Sequence, residues 1–452
     1  MDRKAALALA MLSSFLTPFM ASSIAIALPS ISDEFSMSTV EYGWVATSYL
    51  LAAAAFLVPF GRIADIKGRK RVFIIGMWVF AIASIACALA PSSAMLIASR
   101  FLQGFGGAMV FGTSIAILTS VYPPNERGKV IGLSTSVVYI GLSAGPVLGG
   151  LLTVWLGWRS IFLVLLPGVF AIIWIGTAWL KGEWAEARSE RFDMVGSTIY
   201  VASLTAVIVG IMMLPRFEGA VILVAGVLGV AAFVFWELRA PSPVLNMSLF
   251  RRNRSFAFSN LAALINYSAT YAVAFLMGLY LVTFRDFGEG EAGMILVSQT
   301  IIMAAFSPIA GKLSDVVEPQ IVASVGMGAT TVGLLLLSFV EQDTDLWVIV
   351  VDLMILGFGF GLFSSPNTNA IMSSVDRKQY GVASATVGTM RLIGQVMSTG
   401  IATLFLSIYI GDIEITPDVG PQFMEAFEVA FGVFAVLCFF GVLASLARGK
   451  IR

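Results

Sequence analysis

Few residues in this chain can do chemistry, and the most informative of them sit where charge is expensive. Asp352, Arg391 and Arg100 lie inside long apolar runs, and Glu41 lies at the end of one. An ionisable side chain within a membrane span marks a functional site by default. Asp352 is the most deeply placed carboxylate, about six residues into its run, and Arg391 falls near the middle of the next. Their axial separation is roughly 7 Å at 1.5 Å per residue, which an arginine side chain can bridge. The expected pair is a proton-responsive Asp352 and an Arg391 that favours its charged form until substrate intervenes. The alternative is a wet Asp352 near the outer surface. Glu41, Glu425 and Glu428, at span ends, are weaker proton sites. The chain has no histidine, so proton handling falls to carboxylates or water. Arg100, with Gln103 one turn on, is either a functional cation or an arginine bonded to backbone carbonyls.

These residues need a frame. The chain has 452 residues, 58% hydrophobic and 12% charged, against about 25% charged in soluble proteins. It reads as an integral membrane protein. Lys and Arg number 27, as do Asp and Glu, so net charge names no partner. Cys87 and Cys438 fall inside apolar runs, with no disulfide framework and no metal motif. A span needs about 20 apolar residues. Fourteen runs qualify: 6–29, 41–61, 72–91, 94–118, 130–153, 160–180, 195–214, 219–236, 256–283, 292–310, 320–339, 346–371, 382–409 and 424–447. The first follows Asp2-Arg3-Lys4 as a signal peptide would, but it is too long for one. The expected fold is all-α: a six-helix bundle over 1–180, a linker with two additional spans over 181–254, and a second six-helix bundle over 255–452. With the N-terminus in the cytoplasm, all but five of the 27 Lys and Arg residues fall on the cytoplasmic side. Arg159, Arg216 and Arg285 fall outside, and Arg100 and Arg391 lie within spans. Both termini are then cytoplasmic, in the cytoplasmic (inner) membrane.

The densest charge cluster is Gly61-Arg62-Ile63-Ala64-Asp65-Ile66-Lys67-Gly68-Arg69-Lys70-Arg71, after the second span. Gly311-Lys312-Leu313-Ser314-Asp315 echoes its start after the eighth, the central pair set aside. Two six-span halves fit a transporter of parallel repeats with a midplane site between them. Together with Arg100-Phe101-Leu102-Gln103-Gly104 in span 4 and the run Gly141 to Gly150 in span 5, the cluster resembles the motifs of the major facilitator superfamily. The span-5 run is similar to that of the antiporters. Fourteen spans, with Phe192-Asp193 opening the extra pair and a Pro-rich linker closing it, are similar to the drug:proton antiporter branch. That branch includes quaternary-ammonium multidrug pumps. The resemblance covers nearly the whole chain. It implies the major facilitator fold and proton-coupled efflux of amphiphilic small molecules by alternating access. It implies no cofactor, the proton gradient being the energy source. The branch usually carries an acid in span 1, about nine residues before a Leu-Pro. Counting back from Leu28-Pro29 reaches Met20, and no carboxylate precedes Pro29 in that span.

The motifs have a physical reading. Asp65 at a span end can meet a helix N-terminus of the other half, where the macrodipole favours negative charge. Arg62 and Arg69 can hold it, and Gly61 and Gly68 let backbones approach. Asp315 takes the corresponding place in the echo. The expected result is a cytoplasmic latch between halves. Gly141, Gly145 and Gly149 line one helix face, as close packing requires. With Pro146 and Gly150 they are expected to form a water-excluding seam between halves. Expected cavity residues are Met20, Tyr49, Gln103, Asn260, Asn266, Tyr267, Tyr271, Gln299, Asn367 and Gln395.

The leading functional expectation is an exporter of amphiphilic small molecules, acting as a monomer in the lipid bilayer with protons as the second partner. A second is export or flipping of an anionic amphiphile or lipid, because two in-span arginines face one in-span acid. A third is a non-transporting receptor, which explains neither the Gly-Pro motif nor the short connections. An enzyme is not expected: there is no nucleophile–base constellation, metal cluster or phosphate loop. Nor is nucleic acid, since the basic residues follow loop topology.

Overall fold

A computed structural model describes residues 3–37, 39–411 and 417–449, and among them there is no β-strand. Fourteen helices are long and apolar enough to cross a membrane. They are α1 (Arg3–Phe35), α2 (Thr39–Lys67), α3 (Arg69–Ala88), α4 (Ser93–Val121), α5 (Pro124–Leu156), α6 (Arg159–Ala178), α7 (Met194–Met212), α8 (Phe217–Glu237), α9 (Arg254–Phe284), α10 (Glu289–Ser314), α11 (Pro319–Leu337), α12 (Leu346–Ser373), α13 (Tyr380–Tyr409) and α14 (Gly420–Ala447). Several run past the apolar stretch that announces them. Helix α5 begins six residues before its expected span at 130, because Pro124 suits the first helical turn. Hydropathy marks the part in lipid, whereas capping marks the end of the helix. Ser92, Asp193 and Asn253 cap α4, α7 and α9 by accepting the N–H of Met95, Gly196 and Phe256.

Within the first six helices α1 packs on α5, and α2 and α3 on α4. Within the last six α9 packs on α13 and α14, and α11 on α12 and α14. The two sets meet along two seams, α2 with α13 and α5 with α10. Helices α7 and α8 pack on each other through small residues. The backbone of Leu223 passes Gly210, and that of Val207 passes Gly226. The pair lies against the α2–α13 seam. Tyr200 Oη of α7 donates to Thr389 Oγ1 of α13 at 3.3 Å, and Leu204 and Ile208 share a core with Leu57 and Val58 of α2. Large apolar side chains such as Val154, Trp155 and Phe235 point outward; lipid is their solvent. Arg3, the end of α2, Arg377 and the end of α14 all lie at one face, the basic face.

Candidate functional site

The seams close at the basic face. Asp65, fully buried near the end of α2, accepts the N–H of Gly381 at 2.8 Å and of Val382 at 3.0 Å. These are the second and third residues of α13, whose N–H groups have no partner within their own helix. The carboxylate is thus an N-cap supplied by the other half. Arg69 grips the same carboxylate, Nε at 2.9 Å and Nη2 at 2.6 Å from Oδ1. It also donates to Ser120 of α4 at 2.8 Å and to the Arg377 carbonyl across the seam. The guanidinium groups of Arg69 and Arg127 both lie over the ring of Tyr380, 5.3 Å from its centroid. Gly61 is required by contact: a Cβ there would come within 2.5 Å of the Gly381 carbonyl.

Arg62 does not hold Asp65, contrary to expectation. Its guanidinium pairs with Glu190, in the linker between α6 and α7. That linker also supplies Glu183, whose carboxylate accepts the N–H of Lys70 and Arg71 and so caps α3. Gly68 has φ +116°, which disfavours side chains, and a Cβ there would strike Glu183. The linker residues escaped sequence reading because a Glu in a polar loop looks like any solvated charge.

The second seam closes in parallel. Asp315, just past α10, accepts the N–H of Gly128 at 2.7 Å and of Lys129 at 2.8 Å on α5. Gly128 and Gly311 pass so closely that a Cβ on either would lie 2.2 Å from the other's carbonyl oxygen. Farther along, Ser136 donates to the Ala304 carbonyl at 2.6 Å and Ser143 to Thr300 at 2.6 Å. The face of α5 at this seam is therefore Gly128, Gly132, Ser136 and Ser143. The other glycine face serves a different purpose. Gly141, Gly145 and Gly149 pack on Phe15, Ser22 and Ser23 of α1, within one half, and Gly150 meets only Ile26. Ser23 donates to the Gly145 carbonyl, one residue before Pro146. The expected seam between halves is thus corrected to a seam within one half. Both faces carry small residues every fourth position, and spacing alone cannot say which partner each meets.

At the opposite face Glu34 accepts from Arg159 at 2.6 Å and from Trp158 at 2.7 Å. The Arg159 hydrogen bond, then that of Trp158, holds the Glu34 carboxyl below its ordinary value. Glu41 accepts from Ser93 at 2.5 Å.

In the interior, the structure does not bring Asp352 to Arg391. Asp352 is buried with neither carboxylate oxygen hydrogen-bonded. It faces α11: a Cβ on Gly333 would lie 3.3 Å from its Oδ1. Arg391, partly exposed, lies over the ring of Tyr267 at 5.6 Å. Among the described residues it makes no salt bridge and no hydrogen bond. Asp352 stands 21 residues from the basic end of α12 and Arg391 eleven from that of α13, so the two differ in depth by roughly 15 Å at 1.5 Å per residue and face different helices.

Arg100 is buried and bonded within its own half, to the Val45 carbonyl at 3.1 Å and to Gln103 at 2.5 Å, with its guanidinium 4.7 Å from the Tyr49 ring centroid. Gln103 passes the chain on to Ser84 of α3. Gln103 and Met20 are core residues, fully buried, and do not line a cavity. Asn367 is corrected likewise: it accepts from Arg448 at 2.9 Å and donates to the Ser259 carbonyl at 3.1 Å. Arg448, at the end of α14, is 1% exposed and also bonds Ser259 and Ser445. Burial pushes its guanidinium down to about 10, with Glu318 acting the other way, so it stays charged at neutral pH. Sequence reading took it for a loop cation. Asn260 bonds its own helix through Phe256, and the side-chain amide of buried Asn266 has no partner. Tyr267 reaches Ser364 at 3.4 Å, Tyr271 is exposed, and Gln299 and Gln395 are partly buried.

A family model described as Major Facilitator Superfamily matches residues 10–258 and 259–450. The riboflavin transporter RibZ of Clostridioides difficile is 27% identical over 435 residues, 96% of this chain and 94% of its own length. The cephamycin export protein CmcT of Amycolatopsis lactamdurans is 30% identical over 457 residues, 98% and 93%. The multidrug resistance protein Stp of Mycobacterium tuberculosis is 30% identical over 391 residues, 85% and 72%. The crystal structure of the human organic anion transporter MFSD10 superposes with a TM-score of 0.73 at 14% identity, covering 98% of this chain and all of that one.

Proposed function

The chain belongs to the Major Facilitator Superfamily, and we propose that it is a proton-coupled exporter of amphiphilic small molecules. As a family member with efflux-type relatives it is a transporter and not an enzyme. The observation that carries the mechanism is the cap in trans. Asp65 holds the α13 N-terminus and Asp315 holds α5, so each half is fastened to the other at the basic face through backbone groups. Breaking both contacts lets the halves rock and exposes a central site on that side, which is alternating access. The excess of Lys and Arg supports a cytoplasmic basic face and cytoplasmic termini. The membrane is then the cytoplasmic (inner) one, and the chain works as a monomer.

Relatives named for riboflavin transport, cephamycin export and multidrug resistance support a small organic cargo. Asp352 is the proton site in this reading. An ionised carboxylate in a membrane interior with no partner is costly, and a proton removes that cost. A second reading, export of an anionic amphiphile or lipid, is favoured by Arg391, which has no acidic partner among the described residues.

The test is uptake into inside-out vesicles with an acidic lumen. Wild-type protein should accumulate an amphiphilic dye in proportion to the pH gradient and lose it when a protonophore is added. Asp352→Asn should abolish gradient-driven uptake while retaining exchange of labelled for unlabelled dye. Coupled uptake that survives the substitution removes Asp352 from the mechanism.

A further inference from the structure

We propose that Arg391 and the Tyr267 ring beneath it form the seat of an anionic group on the cargo, so that the transported class is an aromatic molecule bearing a carboxylate or sulfonate. This deepens the export reading and rests on it.

The argument begins with an imbalance. Arg391 is eleven residues from the start of α13, or roughly 17 Å along the axis at 1.5 Å per residue, which is mid-membrane. A cation there needs compensation. Among the described residues it has no carboxylate partner, and the acid expected beside it, Asp352, faces α11 instead. The other in-span arginine, Arg100, differs in kind, because its Nε donates to the Val45 carbonyl and its Nη1 to Gln103.

Arg391 rests on a ring. Tyr267 lies beneath it at 5.6 Å, Phe360 of α12 stands 5.3 Å from Tyr267, and Tyr139 of α5 stands 6.0 Å from Phe360. The first half thus joins, through Tyr139, the chain of rings that ends beneath this cation. A ring attracts a guanidinium but accepts none of its five N–H donors in plane. A carboxylate or sulfonate presents two oxygens to that fork and supplies the missing charge, while the rings stack on an aromatic body.

Two xanthene dyes of similar ring system and opposite charge, fluorescein and rhodamine 6G, separate the possibilities. Equilibrium binding to the purified full-length protein is measured first, and flux into inside-out vesicles second. Wild-type protein should bind fluorescein in preference to rhodamine 6G. Arg391→Gln should weaken fluorescein binding by about tenfold or more. Arg391→Lys should recover part of it, and Tyr267→Ala should lower it where Tyr267→Phe does not. The variants are compared as monodisperse protein, so that loss of folding is not scored as loss of binding. Preference for rhodamine 6G, no fluorescein binding by wild type, or fluorescein binding indifferent to Arg391→Gln each overturns the proposal. Arg391-dependent binding without gradient-driven flux leaves the anion seat standing and removes the export reading. Flux of the cationic dye does the reverse.

Discussion

Asp65 and Asp315 solve one problem with different means. Each accepts two backbone N–H groups from a helix of the opposite half, and each follows a glycine, a basic residue and two small or aliphatic residues. The parallel stops two residues later, where Lys67 corresponds to Val317. Gly68 and Arg69 follow Asp65, whereas Glu318 and Pro319 follow Asp315. Asp65 is accordingly fully buried with its charge met by Arg69, while Asp315 is only partly buried and no arginine stands at the equivalent position. Two backbone N–H groups hold Asp315 at the wetter seam. Burying a carboxylate completely calls for a guanidinium as well, since a buried charge without a partner is strongly destabilising.

The comparison can be broken most directly by paired substitutions. Asp65→Asn should lower the export rate by about tenfold, because it removes charge-assisted bonds from a dry site, and Asp315→Asn by only about threefold, where water competes. Equal losses, measured side by side in vesicle uptake, would erase the distinction. A smaller effect tests the linker. Glu183→Ala removes the cap of α3 and should cost about 1 kcal/mol of stability, read as a lower Tm with cargo affinity unchanged. A change in affinity at unchanged Tm would mean that the linker reports on the cargo site. The smallest effect sharpens the contrast between faces. Glu34 is an exposed carboxyl held below its ordinary 4.5 by Arg159. Its contribution is present above that value and lost as pH falls through the lowered one. Wild type should lose slightly more Tm than Glu34→Gln between pH 6 and pH 3, and parallel curves would show that the contact adds nothing.

Much of the fold was readable because lipid imposes a length and a charge asymmetry on every span. The fourteen runs carried that signal, and the glycines and aspartate of Gly61 to Arg71 carried the latch. What could not be read was rotation and relative depth. Asp352 lies 21 residues from the basic end of α12 and Arg391 eleven from that of α13, and one faces α11 while the other lies over Tyr267. Gly141, Gly145 and Gly149 have the spacing of a packing face without naming α1 as the partner. Arg448, Glu183 and Glu190 look like loop charges until the chain closes around them.

The α7–α8 pair gives the molecule two unlike flanks. It roofs the boundary between α2 and α13 and leaves the boundary between α5 and α10 uncovered by any further described helix. Annular lipid therefore touches the moving parts chiefly on one side. Bilayer thickness and headgroup composition should act on the carrier through α5 and α10, and an amphiphile arriving sideways from the membrane has one bare approach.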